Sequence, residues 1–215
     1  MVKHSGKREV LTREVVLRAA LAVVDCDGLD ALSMRRVGEA LGVEAMSLYR
    51  YVDNKAAMLD GIFEAVLAEL APSKKTRSWR SALRARAMAF RRVLRAHPNA
   101  LPVFATRPAV TDRALVQVEE VLEILRSAGF SVTDSLFAMQ SVLAFVIGHT
   151  VTSYGTTRHD EGAEPAYSKL DGDRFARVRE IAEVLPTHDV EEEFAFGLEL
   201  LISGLRRRLS KQQKA

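Results

Sequence analysis

"LSMRRVGEALGVEAMSLYRYVDNKAAMLDGI", residues Leu32–Ile62, contains two short helical patterns separated by Gly42-Val43 and a third that opens on "VDNK". Ser33 can N-cap a helix over Met34–Leu41, which stops at Gly42. The next pattern runs roughly from Ala45 to Val52, and Asp53 or Asn54 can cap a longer helix running toward Leu70, where Pro72 ends it. Two short helices joined by a glycine turn make a helix-turn-helix, and its second helix is short and exposed enough to enter a DNA major groove. At ~100° per residue, Leu48 and Val52 share a face and point into a small core with Val37 and Leu41. Met46 and Arg50 then lie roughly opposite, Ser47 and Tyr49 flank them, and Ala45 and Tyr51 sit nearer the edges. That outward face offers a guanidinium for bidentate reading of guanine, hydroxyls for phosphates and apolar atoms for thymine methyls.

Arg35 and Arg36 occupy the first turn of the preceding helix, where the macrodipole disfavours cations unless an anion is near. Lys55 places another charge at a helix N-terminus that can itself receive a phosphate. Upstream, Thr12 can cap a helix with an apolar stripe of Val16, Ala19, Ala20, Val23 and Val24, ending at Gly28. Downstream, the three- and four-residue period predicts helices near Ser78–Ala96, Thr111–Ala128, Thr133–Ser153, Arg174–Val184 and Val190–Leu209, with Pro98, Pro102, Pro108, Gly129 and Pro186 as punctuation. Residues Gly155 to Gly172 read as a polar loop without period. The expected fold is all-α, with about nine to ten helices. Residues 1–56 are expected to form a three-helix DNA-binding domain and residues 57–215 a larger helical domain, 57–70 being the connecting helix.

Composition narrows the function classes. The 215 residues are 48% hydrophobic and carry a net charge of only +3, so any nucleic-acid claim rests on the distribution of charge. That distribution is uneven, with nine Lys/Arg and no acid between Ser73 and Pro98. The most apolar stretch, Leu136–Val151, is interrupted by polar residues and is shorter than the ~20 residues of a spanning helix. The charged "MVKHSGKREVLTREVV" lacks a signal-peptide core, so the expected address is cytoplasmic, nucleoid-associated when DNA-bound. Cys26 reads as a small packed hydrophobe. A phosphate-cradling glycine loop, a G-x-S-x-G elbow and an H-E-x-x-H pair are all missing from the sequence, which argues against an enzyme; no metal site and no cofactor are expected.

The stretch quoted above resembles the DNA-binding domain of TetR family transcriptional regulators, in its leucine-glycine-valine turn, its "LYRYV" helix and its "NKAAML" opening. "TRPAV", "AGFSVTDSLFAM" and "FAFGLELLISGLRRRL" resemble the larger domain of the tetracycline repressor subgroup. The resemblance covers roughly Thr12 to Leu209. It implies that Arg35 reads a base, that Ala45, Met46, Ser47, Tyr49, Arg50 and Tyr51 face DNA, and that Lys55 holds a phosphate. At the subgroup's magnesium and drug-binding positions stand Val103, Thr152 and Ala144, so magnesium–tetracycline is not the expected effector.

The long helix at Thr133–Ser153 is apolar on nearly every side, which one subunit rarely covers. The last helix tolerates Gly197 and Gly204, each costing ~1 kcal/mol relative to alanine in a helix interior, at a spacing that places both on one face. These helices are expected to pair with symmetry mates in a four-helix homodimer interface built on Phe194, Gly197, Leu201, Gly204 and Leu205. Two recognition helices then require a palindromic operator with half-sites ~34–36 Å apart. The expected effector lining is Val103, Phe104, Thr106, Phe137, Gln140, Ala144, Phe145 and His149, which suits a small, largely apolar molecule. His149 fits equally a hydrogen-bonded core histidine. Arg84, Arg91 and Arg95 recur near helical spacing and suit either an anionic ligand or a solvated face paired with Glu119, Glu120 or Glu123. The expected mechanism is repression relieved by ligand, with the connecting helix as lever. A different class, a helical small-molecule sensor that never touches DNA, stays open at this point.

Overall fold

The computed structural model describes residues 10–71, 76–155, 170–171 and 173–213, with the side chains of 154 and 155 excepted. The signal-peptide reading of the N-terminus and most of the 155–172 loop fall outside these residues. Among the described residues there are ten α-helices and no strand: α1 Arg13–Asp27, α2 Met34–Leu41, α3 Ala45–Leu48, α4 Lys55–Ala68, α5 Trp79–Ala96, α6 Leu101–Thr106, α7 Asp112–Ser127, α8 Val132–Gly155, α9 Ala176–Val184 and α10 Val190–Gln212.

Side-chain caps set the starts of the early helices. Thr12 Oγ1 accepts from the Val15 amide at 3.3 Å, Ser33 Oγ from Arg36 at 3.2 Å and Asn54 Oδ1 from Ala57 at 2.9 Å, each cap contributing ~1 kcal/mol. Gly42 ends α2 at φ 65°, the left-handed conformation that a side chain rarely adopts. Regular helix in α3 stops at Leu48, shorter than the expected Ala45–Val52. Tyr49–Tyr51 continue as turns, with Tyr51 and Val52 both donating to the Leu48 carbonyl. The aromatic and β-branched run Tyr49 to Val52 favours helix weakly, and the extended Asn54 that caps α4 must follow within two residues. Helix α6 is absent from the sequence reading because Pro98 and Pro102 looked like stops. Both occupy the first turn of a helix, Pro98 in a 3-10 turn and Pro102 in α6, where the missing N–H costs nothing.

The chain divides into two compact units, Met1–Lys74 with Met88–Glu123, and Lys75–Ala87 with Ile124–Ala215. In the first, Val16, Ala20 and Val24 of α1 pack with Val37, Leu48, Val52, Met58, Ile62 and Val66, all buried. The backbone of α4 comes close to the Leu17 side chain of α1, since a Cβ on Gly61 would lie 2.1 Å from a Leu17 methyl. Cys26 is exposed on the last turn of α1, not packed, because its neighbours Val23 and Val24 take the inward positions.

In the second unit, Ala138, Val142 and Val146 of α8 meet Phe194, Leu198 and Ile202 of α10 in one buried seam. Asp134, buried, holds Arg208 at 3.1 Å and contacts Gln212. The stretch Val132–Ser153 has a mean hydropathy of 1.4, long and apolar enough by length and composition to cross a membrane, unlike the shorter Leu136–Val151 segment read from sequence. Its seam with α10 and its half-buried ion pair with Arg208 are those of a helix in a bundle.

Candidate DNA-reading and effector-sensing surfaces

The helix-turn-helix presents its reading face because its inner face is pinned. Leu48 is fully buried and Val52 nearly so, which turns Met46 outward at 73% exposure, with Tyr49 and Arg50 exposed beside it. Gly38 allows α2 to approach the turn into α3, where a Cβ would sit 2.8 Å from the Val43 carbonyl oxygen. Ala45 and Tyr51 are half-buried at the edges. Ser47 donates its hydroxyl to the Glu44 carbonyl at 2.7 Å, so that hydroxyl is committed to the helix start.

Arg35 is exposed and forms a 2.6 Å ion pair with Glu39, one turn along α2, while Arg36 reaches Asp27 at the end of α1, also at 2.6 Å. These two acids offset the cations that the macrodipole disfavours. Glu39 and the exposed Glu44 at the head of α3 are two reading-face acids that the sequence analysis missed. The i,i+4 spacing of Arg35 and Glu39 was the available signal for the first. Lys55 is exposed at the start of α4.

Helix α4 is 14 residues, ~21 Å at 1.5 Å each, slightly shorter than expected. Its buried Glu64 accepts a bidentate pair from Arg13 of α1 at 3.0–3.1 Å and lies 3.6 Å from Arg113 of α7. One turn nearer the DNA end, Asp60 holds Arg107, just past α6, at 2.7 Å, and the same guanidinium donates to the Ala56 carbonyl at 3.2 Å. The hydrogen bond to Asp60 raises the Arg107 pKa against the opposing effect of burial. Thus α4 is tied to α1 on one side and to the α6–α7 segment on the other.

The expected effector residues fall into three groups. In the first unit Val103 and Phe104 are buried, Phe104 stacking on Phe63 at 4.5 Å and meeting Phe90 edge-on at 5.8 Å; Thr106 is exposed and donates to the Pro102 carbonyl. In the second unit Phe137 (61% exposed), Gln140 and Ala144 occupy an outward face of α8. Phe145 and His149 face α10 instead, against Phe194 at 5.2 and 5.1 Å. His149 Nδ1 lies 3.2 Å from Ser153 Oγ, and its Nε2 is 3.6 Å from Glu193. This histidine is packed between α8 and α10, against Phe194. An open cavity of about 460 Å³ in the same unit is lined by Arg126, Gly129, Phe130, Ser131 and Gln212, none of them expected. The proposed arginine face also divides, since Arg84 pairs with Glu199 of α10 and Arg91 is buried.

Two of the expected interface residues turn inward. Phe194 is fully buried within the chain, and the space beside Gly197 is taken by Phe145, 2.5 Å from where a Cβ would stand. Within one chain, their side of α10 packs on α8. Leu201 and Leu205 are half-buried and Gly204 is open. The outward apolar residues include Phe196 (67% exposed) and Leu200 on α10, with Leu136, Phe137 and Leu143 on α8.

A family model of bacterial regulatory proteins of the tetR family matches residues 16–62, and one of the tetracyclin repressor-like C-terminal domain matches residues 71–209. The chain belongs to the TetR family. It is 33% identical over 206 residues to tetracycline repressor protein class D of Escherichia coli, covering 93% of this chain and 91% of that repressor. It is also 33% identical over 208 residues to an HTH-type transcriptional regulator of Saccharopolyspora erythraea, covering 94% and 88%. Among solved structures, apo ActR of Streptomyces coelicolor matches with a TM-score of 0.83 at 26% identity, covering 94% of this chain and 98% of that one. ActR in complex with actinorhodin matches at 0.82 and 26%, covering 93% and 98%. This TetR family member is a ligand-responsive, DNA-binding transcriptional regulator. Its tetR match contains every expected DNA-reading position from Arg35 to Lys55.

Proposed function

We propose that the chain is a repressor that binds a palindromic operator as a homodimer and is released by a small, largely apolar effector. The observation that carries the DNA half is the outward set Met46, Tyr49 and Arg50 over buried Leu48 and Val52. Arg50 reads guanine, Met46 and the tyrosine edges meet thymine methyls and sugar, Lys55 holds a phosphate, and Arg35 exchanges Glu39 for a base edge. The outward apolar faces of α8 and α10 support the dimer.

Relatives named for tetracycline raise that drug as an effector. Val103 and Thr152 do not suit its magnesium, and Ala144 offers the drug no side-chain hydrogen bond; Val103 is buried and the Thr152 hydroxyl is bonded to the Gly148 and His149 carbonyls. An organic effector held by apolar contact fits better, and no catalytic role is proposed. The protein works in the cytoplasm, on the nucleoid when bound to its operator.

Release proceeds through α4. A ligand that favours one tilt of this helix changes the separation of the two recognition helices, and a coupling of ~1–3 kcal/mol weakens operator binding about 5–150-fold. A direct binding assay decides it: a compound that binds the chain lowers operator affinity within that range, and a bound compound that leaves affinity unchanged ends the coupling claim. Tight compound binding by a chain with no salt-dependent preference among duplexes would leave only the sensor reading.

A further inference from the structure

His97 follows α5 at the entry to the 3-10 turn Pro98–Ala100, with its side chain only 12% exposed. Its Nδ1 lies 2.8 Å from Asp25 Oδ2, in the last turn of α1. Its Nε2 lies 3.1 Å from Glu69 Oε1, at the end of α4. Asn99 adds a second tie at the same place, donating its amide to the Asp25 carbonyl at 2.8 Å. The Nδ1 arm is a hydrogen bond; the Nε2 arm lies off the N–H axis and acts as an ion contact.

A neutral imidazole has one N–H and one lone pair, so it cannot face two carboxylates with both nitrogens favourably. The imidazolium has two N–H groups and can. A second observation agrees: Oδ1 of Asp25 is buried with no hydrogen-bond partner, and a positive charge on the adjacent ring offsets part of that cost. We propose that His97 is a positioning residue whose imidazolium pins the end of α1 to the end of α4, so that the DNA-reading head follows the lever helix tightly only while the ring is charged. This rests on the regulator reading above.

The charged groups that act on the ring are Asp25 from α1 and Glu69 from α4; Asn99, from the turn that follows, is neutral. Burial opposes the ring's charge, and the contacts with Glu69 and Asp25 outweigh it, so the pKa is raised above its ordinary 6.5. A raised folded pKa means the pin is complete below the unfolded value and is lost as pH rises through the higher folded one. Operator binding is therefore tighter on the acid side of that window.

The test uses the full chain, a duplex it selects from random DNA, and affinities from about pH 6 to about pH 9, across the histidine range. NMR titration of the His97 ring in the free protein runs alongside. The ring is expected to titrate above 6.5 and to fall in Glu69→Gln, and wild-type affinity is expected to drop severalfold more than that of His97→Gln across the window. A ring that titrates at or below 6.5, or parallel affinity profiles for the two proteins, overturns the pin. Failure to select any duplex at any pH overturns the regulator reading instead, and the ring titration with Glu69→Gln then still decides the pin, including where His97→Gln does not fold.

Discussion

In the head, the reading helix has one inner face: Leu48 and Val52 are buried in a small core, while Met46, Tyr49 and Arg50 are exposed. In the α8–α10 pair, apolar residues point both ways. Ala138, Val142, Val146, Phe194, Leu198 and Ile202 close a seam within the chain, while Phe137, Leu143, Phe196 and Leu200 face outward. The head completes its core with its own residues, and the pair builds half of one. A helix apolar on two faces needs two partners, and the second we propose is a further copy of the same pair.

That contrast can be broken most forcefully at Leu48. Leu48→Ala empties a fully buried site and is expected to cost ~2–5 kcal/mol of stability, read by denaturant unfolding, with DNA binding lost as the reading helix loosens. Phe137→Ala combined with Phe196→Ala does the reverse. These exposed rings add within about 0.5 kcal/mol to the stability of one subunit, yet their loss is expected to weaken dimerisation by ~2 kcal/mol or more in sedimentation measurements. Dimers of unchanged affinity would mean that the outward faces serve something else.

Smaller effects sharpen the head side. Arg50→Ala is expected to cost ~1–3 kcal/mol of operator binding and to relax specificity at one base pair in each half-site, with subunit stability unchanged. Asn54→Ala removes the cap of α4 and is expected to cost ~1 kcal/mol in thermal unfolding, because the Ala57 amide loses its acceptor.

Much of the head was legible because its signals are local. Thr12, Ser33 and Asn54 announce the helix starts, Gly42 the turn, and the four-residue spacing of Leu48 and Val52 the inner face. The second unit was less legible because period alone cannot rank two apolar faces. Phe194 and Gly197 have a spacing as suited to a symmetry mate as to α8, and their packing on Phe145 within the chain is not written in that spacing. Helix α6 was hidden by prolines that start helices as readily as they stop them, and the tie of His97 to Asp25 joins residues 72 positions apart, beyond any local pattern.

Selection of bound duplexes from random DNA, followed by footprinting of the winner, tests the central claim most directly. The account predicts a palindrome protected on one face, with half-sites about one helical turn, ~34–36 Å, apart, and, for Arg50→Ala, weaker enrichment with one base pair of each half-site relaxed. Protection of a single asymmetric half-site would contradict the two-headed reader, and enrichment unchanged by Arg50→Ala would contradict the reading face itself.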